Sequence, residues 1–225
     1  MLRTIKSYVR RQGRMTPRQE HALEHHSAQY GLTLPQEGTF NWVEIFKRDR
    51  PLVLEIGFGM GHSLIDMATR QPEFNFVGVE VHRPGVGSAL AELVDHGLQN
   101  LRLIEGDAVT ILNTAITDES LSKIQIFFPD PWPKKRHHKR RLIQNEFVEL
   151  LVKKLRPQGQ IHLATDWEPY AVWMMDVLSS IPRLKNTAGD GAYLEKQTDR
   201  PLTKFERRGL GLGHQIWDLL FIKSQ

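Results

Sequence analysis

Leu52-Val53-Leu54-Glu55-Ile56-Gly57-Phe58-Gly59-Met60-Gly61 is an apolar run that passes straight into three alternating glycines. The aliphatic run predicts a buried strand over residues 52–56. The glycines predict a tight turn whose backbone lies open to a ligand, because no Cβ stands in the way. A helix is expected next, over residues 62–70. A dinucleotide fingerprint would need a third small residue at position 62, where His62 stands. The lysine of a P-loop is absent as well. With no diphosphate to cradle, the loop suits a ligand that joins an adenosine to a small charged tail.

Outward from this stretch, strand and helix signals alternate. Strands are expected over 75–81, 101–105, 124–128, 160–164 and 214–222. Helices are expected from Pro84 to about His96-Gly97, and over 108–116, 142–155 and 167–178. The third of these carries Phe147, Leu150, Leu151 and Leu155 on one side, and Pro157-Gln158-Gly159 turns out of it. Ahead of the loop, Phe40, Val43 and Phe46 share the spacing of one helical face. Such alternation predicts an α/β fold, a doubly wound, mostly parallel sheet covered on both faces. Residues 1–30 are polar and Arg-rich, and predict a mobile basic arm ahead of a single domain over 31–225.

The net charge of +4 conceals a segregation. Residues 1–20 hold Arg3, Lys6, Arg10, Arg11, Arg14 and Arg18 against Glu20, and residues 134–141 hold six cations and no acid. The remainder of the chain is therefore acidic. Two basic strips on an acidic body suit a polyanion, because lysine and arginine release counterions from phosphates. No apolar run reaches the length of about 18 residues that a membrane span needs. The N-terminus has no apolar signal core. Without cysteine there is no disulfide, thiolate nucleophile or zinc-thiolate site, which fits a cytoplasmic protein. The apolar pattern leaves monomer and homodimer both open.

Three acids stand at three successive expected strand ends. Glu55 precedes the glycine loop, where an ammonium group could pair with it. Glu80 lies 19 residues past Gly61, the position at which a carboxylate accepts ribose hydroxyls. Asp107, with Ala108 beside it, follows the next strand, where it could meet an adenine edge. A second dense stretch closes the fourth strand: Pro129-Asp130-Pro131-Trp132-Pro133, then Lys134-Lys135-Arg136-His137-His138-Lys139-Arg140-Arg141. It places a carboxylate between two stiff prolines, next to an aromatic ring and a phosphate-binding strip. Trp132 could stack on an extruded base or pack in the core; the sequence leaves both open. Neither His137-His138 nor His25-His26 has a carboxylate at metal spacing, so no metal is expected.

The glycine loop and its acids look like the S-adenosylmethionine site of class I methyltransferases. More narrowly, Phe127-Phe128-Pro129-Asp130-Pro131-Trp132-Pro133-Lys134, Ala164-Thr165-Asp166 and Thr203-Lys204-Phe205-Glu206 resemble the bacterial tRNA (guanine-N7-)-methyltransferase family. The resemblance spans about residues 35–225, with no departure at these positions. It implies a Rossmann-like class I fold and methyl transfer from S-adenosylmethionine to guanine N7 in the variable loop of tRNA. It also implies roles. Asp130 is catalytic and touches the cofactor, together with Glu55, Gly57, Gly59, Gly61, Glu80, Asp107 and Ala108. Lys134, Asp166 and Thr203, Lys204, Phe205 and Glu206 meet the substrate, and Arg136, His137, His138, Lys139, Arg140 and Arg141 contact RNA. Without the resemblance, Asp166 reads as the N-cap of the following helix. Two alternatives remain: a methyltransferase of this fold acting on DNA or an exocyclic amine, and an RNA-binding module without chemistry.

Overall fold

The computed structural model describes residues 7–8, 13–195, 201 and 215–224. Its first half contains α1 (Pro17–Tyr30), α2 (Trp42–Phe46), β1 (Leu52–Ile56), α3 (His62–Arg70), β2 (Asn75–Glu80), α4 (Arg83–Asp95), β3 (Leu101–Glu105) and α5 (Ala108–Ala115). Then come β4 (Leu121–Phe127), a 3-10 helix (Lys135–Arg140), α6 (Asn145–Lys154), β5 (Leu155–Thr165), α7 (Glu168–Ser179), β6 (Leu184–Asn186) and β7 (Trp217–Lys223). The strands form one sheet in the order β3-β2-β1-β4-β5-β7-β6. β1 to β5 pair in parallel, and β7 runs antiparallel to both β5 and β6. The chain winds outward in one direction from β1 and in the other from β4. Open α/β sheets bind ligands beyond the carboxyl ends of the strands at such a switch point.

Alternation along the strands builds two apolar layers. Leu54, Ile56, Val79, Ile124 and Ile126 belong to the layer with α5, α6 and α7. Val53, Phe76, Leu103 and Phe127 belong to the layer with α1, α3 and α4. All residues of β1 and β2 are buried, as expected for central strands covered twice.

Three readings of the sequence need correction here. Residues 17–30, assigned to a mobile arm, form α1. Thr16 Oγ1 accepts the Gln19 N–H at 3.3 Å, Gln19 Oε1 accepts the Thr16 N–H at 2.8 Å, and Pro17 opens the helix. The helix lies close on α4, where a Cβ on Gly87 would stand 2.9 Å from the Gln19 carbonyl oxygen. Only Ala22 and Tyr30 of α1 are buried, so no apolar period marks it in the sequence. Beyond it, Gly31 bridges in parallel to Leu103 of β3, and the Leu32 N–H donates to the Leu103 carbonyl at 2.8 Å.

The second correction concerns Val43, which is 52% exposed although Phe40 and Phe46 are buried. Asn41 caps the Glu44 N–H, so α2 begins at Trp42 and Phe40 lies outside it. The third concerns Pro157-Gln158-Gly159, which lies within β5. The pairing with β4 jumps there from Leu121↔Leu155 to Lys123↔Gln160, with Gln158 at φ 63°. This is a bulge that re-aims a strand without ending it. The short β6 has no counterpart in the sequence reading.

Candidate functional site

A cleft of about 680 Å³, counting the space open to solvent, lies over the carboxyl ends of β1, β2 and β4. Gly57, Glu80, Asp107, Ala108 and Asp130 line it together, above a floor that includes Ile56, Val79 and Phe127. Ser7 and Tyr8, which no sequence motif singles out, also line its wall.

Gly57 and Gly59 adopt φ of +78° and +59°, with nothing within 4 Å of where a Cβ would stand. No side chain covers this conformation, which side chains disfavour, but the N–H groups are engaged: that of Gly57 donates to the Val79 carbonyl at 2.8 Å and that of Gly59 to Glu80. Gly61 serves otherwise: its Cβ would fall 2.5 Å from that of Ala89, so glycine seats the loop on α4. Glu80 fastens the same loop. Its Oε2 accepts the Gly59 N–H at 2.8 Å, and Oε1 accepts those of Val81 at 2.6 Å and His82 at 2.9 Å. A carboxylate has about four acceptor positions, so Glu80 offers a ligand about one more. That is less than both hydroxyls of a ribose. Asp107 caps α5, with Oδ1 accepting the Thr110 N–H at 2.9 Å, and its residue also lines the cleft.

Glu55 departs from its expected place. It is 3% exposed and is not among the cleft residues. By the two-residue period it points to the layer of α3, where Gln125, its register partner on β4, donates to Oε2 at 2.8 Å. Gln125 stands as a lone amide in an apolar strand, a signal the sequence offered. Burial pushes the Glu55 carboxyl up to about 7, against the Gln125 hydrogen bond and with help from the Glu80 charge. The folded protein therefore holds a proton that the unfolded chain loses above the ordinary value of 4.5. Stability contributed by that proton is full below 4.5 and is lost as pH rises through about 7. Glu55→Gln removes the ionisation, and should be more stable than the parent near pH 8 by roughly 3 kcal/mol, with the gap closing toward pH 4. Urea denaturation at the two pH values checks this, and a pH-independent difference would defeat it.

Asp130 is exposed and lines the cleft. The segment that carries it is constrained at both ends. Phe128 and Trp132 take φ of +52° and +43°, uncommon for such residues, and the Phe128 N–H donates to the Ala164 carbonyl at 2.8 Å. Phe127 is paired with Ala164, so Asp130 and Asp166 follow neighbouring parallel strands on the same rim. Asp166 is not a cap: Trp167 holds the N-cap position of α7, and Thr165 Oγ1 accepts its N–H at 3.2 Å. Thr203, Lys204, Phe205 and Glu206 lie outside the described residues.

Comparison with known proteins now bears on this rim. The model of a family described as "Putative methyltransferase" matches residues 49–219. A "tRNA (guanine-N(7)-)-methyltransferase" of Pseudomonas putida (strain W619) is 52% identical over 221 residues, covering 98% of this chain and 92% of that protein. One of Legionella pneumophila (strain Corby) is 52% identical over the whole of both chains. The chain belongs to the tRNA (guanine-N7-)-methyltransferase family. Solved structures agree on the fold. The 16S rRNA methyltransferase KamB is 14% identical with a TM-score of 0.58, over 86% of this chain and 99% of that one. A SAM-dependent methyltransferase from Aquifex aeolicus is 13% identical with a TM-score of 0.54, over 81% and 87%.

In this member of the tRNA (guanine-N7-)-methyltransferase family the basic strip is a 3-10 helix, preceded by the exposed Lys134. Lys135, Arg136 and Lys139 are exposed, and His137, His138 and Arg140 are half-buried. Desolvation and the surrounding cations hold His137 below its ordinary value. Arg140 lies over the Trp132 ring at 4.4 Å, His137 meets its edge, and the indole N–H donates to the Ser7 carbonyl at 3.1 Å. The indole is thus engaged by the protein. Arg141 breaks from the strip: it is 3% exposed and turns inward, which corrects its assignment to RNA. Among the described residues no helix is long and apolar enough to cross a membrane. No group of three or more His, Cys, Asp or Glu among them could hold a metal ion.

Proposed function

We infer that this chain transfers a methyl group from S-adenosylmethionine to N7 of a guanine in tRNA, forming 7-methylguanosine in the cytoplasm. One observation carries the site assignment: Gly57, Glu80, Asp107 and Asp130, drawn from four segments of the chain, line a single cleft. The fit to the cofactor rests on Gly57, whose lack of a Cβ leaves the cleft wall open, an apolar floor, and two acids at the wall. Gly57, with no Cβ in the way, would let the charged tail lie close against the loop, Glu80 would hold a ribose hydroxyl, and Asp107 with Ala108 the adenine. When bound, S-adenosylmethionine supplies an electrophilic methyl carbon whose bond to sulfur breaks with the electron pair staying on sulfur.

Guanine N7 carries an in-plane lone pair and no proton, so the protein need not provide a strong base. Its task is alignment, which can lower the barrier substantially when reacting atoms are held near contact. The Asp130 oxygens match the N1–H and amino donors of guanine, and their charge opposes the positive charge gained by the ring. Lys134 and Asp166 would position the base and its flanking phosphate. Thr203–Glu206 enter by resemblance alone.

Incubating the protein with unmodified tRNA and a tritiated methyl donor should yield labelled 7-methylguanosine as the modified nucleoside. A different labelled nucleoside would overturn the position assigned. The exposed cations make a separate prediction. Replacing Lys135, Arg136 and Lys139 together by alanine should weaken tRNA binding and flatten the slope of log affinity against log salt by about 2–3. Affinity for S-adenosylhomocysteine should be unchanged. An unaltered slope would remove this strip from phosphate contact.

A further inference from the structure

The prolines on either side of Asp130 leave little with which to hold it. Neither proline has an N–H, so the segment can be tied to the body mainly through carbonyls. One such tie exists. Arg141 Nε donates to the Pro131 carbonyl at 3.0 Å. The Arg141 guanidinium lies over the rings of Tyr170, at 4.9 Å, and Trp173, at 5.2 Å, both on α7. Those two side chains also grip the backbone two residues on. The Ile143 N–H donates to the Tyr170 hydroxyl at 3.3 Å, and the Trp173 indole donates to the Ile143 carbonyl at 2.7 Å. Burial raises the Tyr170 hydroxyl well above its ordinary value and the Asp130 charge adds to this, so the carboxylate stands within electrostatic reach of the same ring.

We propose that Arg141 is a positioning residue for the methyl-transfer site. It couples the rigid α7 aromatic pair to the Pro131 carbonyl and so fixes where the Asp130 carboxylate sits in the cleft. This rests on the function proposed above and deepens it. Arg141 follows directly on the strip, but its work differs: Lys134, Lys135, Arg136 and Lys139 face solvent, whereas Arg141 anchors the loop. The need for an anchor is visible in the backbone. Phe128 and Trp132 stand at positive φ, and such strained conformations persist only where the surroundings over-determine them. The Ala164 carbonyl constrains one end of the segment, and at the other Arg141 holds the backbone carbonyl while the Trp132 side chain is held by Ser7 and Arg140.

Arg141→Lys separates the readings, since it keeps the charge but loses the planar stacking group and the donor at Nε. Active sites are counted first by calorimetric titration with S-adenosylhomocysteine, so that kcat is expressed per folded site. The expected result is a kcat lowered roughly 10–100-fold, as displacement of a catalytic group by about an ångström produces. The KM for tRNA and the salt slope of tRNA binding should stay as in the parent. Arg141→Met, which keeps apolar contact with the two rings but has neither donor nor charge, should fall at least as far. A kcat for Arg141→Lys within about twofold of the parent overturns the proposal, as does a loss confined to KM with a slope shallower by about one. Failure of both variants to bind S-adenosylhomocysteine at one per chain would make Arg141 a folding residue only, and overturns it too. The parent's product is read in the same assay: absence of 7-methylguanosine there removes the functional reading itself, independently of Arg141.

Discussion

Asp130→Ala is expected to lower kcat for tRNA methylation roughly 10²–10³-fold, the cost of removing one preorganised group that stabilises developing charge. The side chain is exposed, so its loss leaves no cavity and the melting temperature should hold. Asp130→Asn sharpens the test. If the residue only capped a turn, asparagine would serve nearly as well, since both side chains form such turns. If its charge acts on the guanine ring, the amide should lose most of the rate despite its matching shape. Near-parent turnover in Asp130→Asn would remove the charge from the mechanism. Single-turnover kinetics with saturating donor are the measurement, because they isolate transfer from product release.

The second large effect is expected at Glu80. Its two oxygens accept three backbone N–H groups, including that of Gly59 in the glycine loop. Glu80→Gln retains the volume but turns an NH₂ toward either Gly59 or the Val81-His82 pair. Leaving such donors facing another donor costs about 1.5–3 kcal/mol, since the bonds lost are to a charged group. Affinity for S-adenosylhomocysteine should therefore fall roughly 10–100-fold by calorimetry, with the loop disordered before any ligand contact is counted. An affinity within about twofold of the parent would mean that the loop keeps its shape without this carboxylate.

The first half of the sheet could be read from residues because local signals there are strong and agree. Both β1 and α3 fall on their expected residues, since an aliphatic run, three glycines and a periodic helix specify them without help from distant contacts. The acids Glu80, Asp107 and Asp130 could be placed on one rim for the same reason: a strand end in a parallel sheet has only one rim to reach. What escaped depends on partners far along the chain. Glu55 follows the same strand-end logic, but the two-residue period turns it toward Gln125, 70 positions later. Arg141 has the charge of its neighbours and is distinguished only by Tyr170 and Trp173, which the fold brings to it. α1 lacked an apolar stripe because its docking uses two buried residues and the glycine at 87.

The contact of Gly31 and Leu32 with Leu103 has a bearing on how this sheet stays out of other molecules' sheets. β3 is the outermost strand on its side, and a bare outermost strand is a template for aggregation. The stretch just after α1 occupies part of that ladder, while the opposite margin is closed by β6, a strand of three residues. A truncation meant to strip the cationic leader should therefore stop short of Thr16. Cutting deeper would uncover hydrogen-bonding groups of β3 and invite self-assembly that has nothing to do with tRNA.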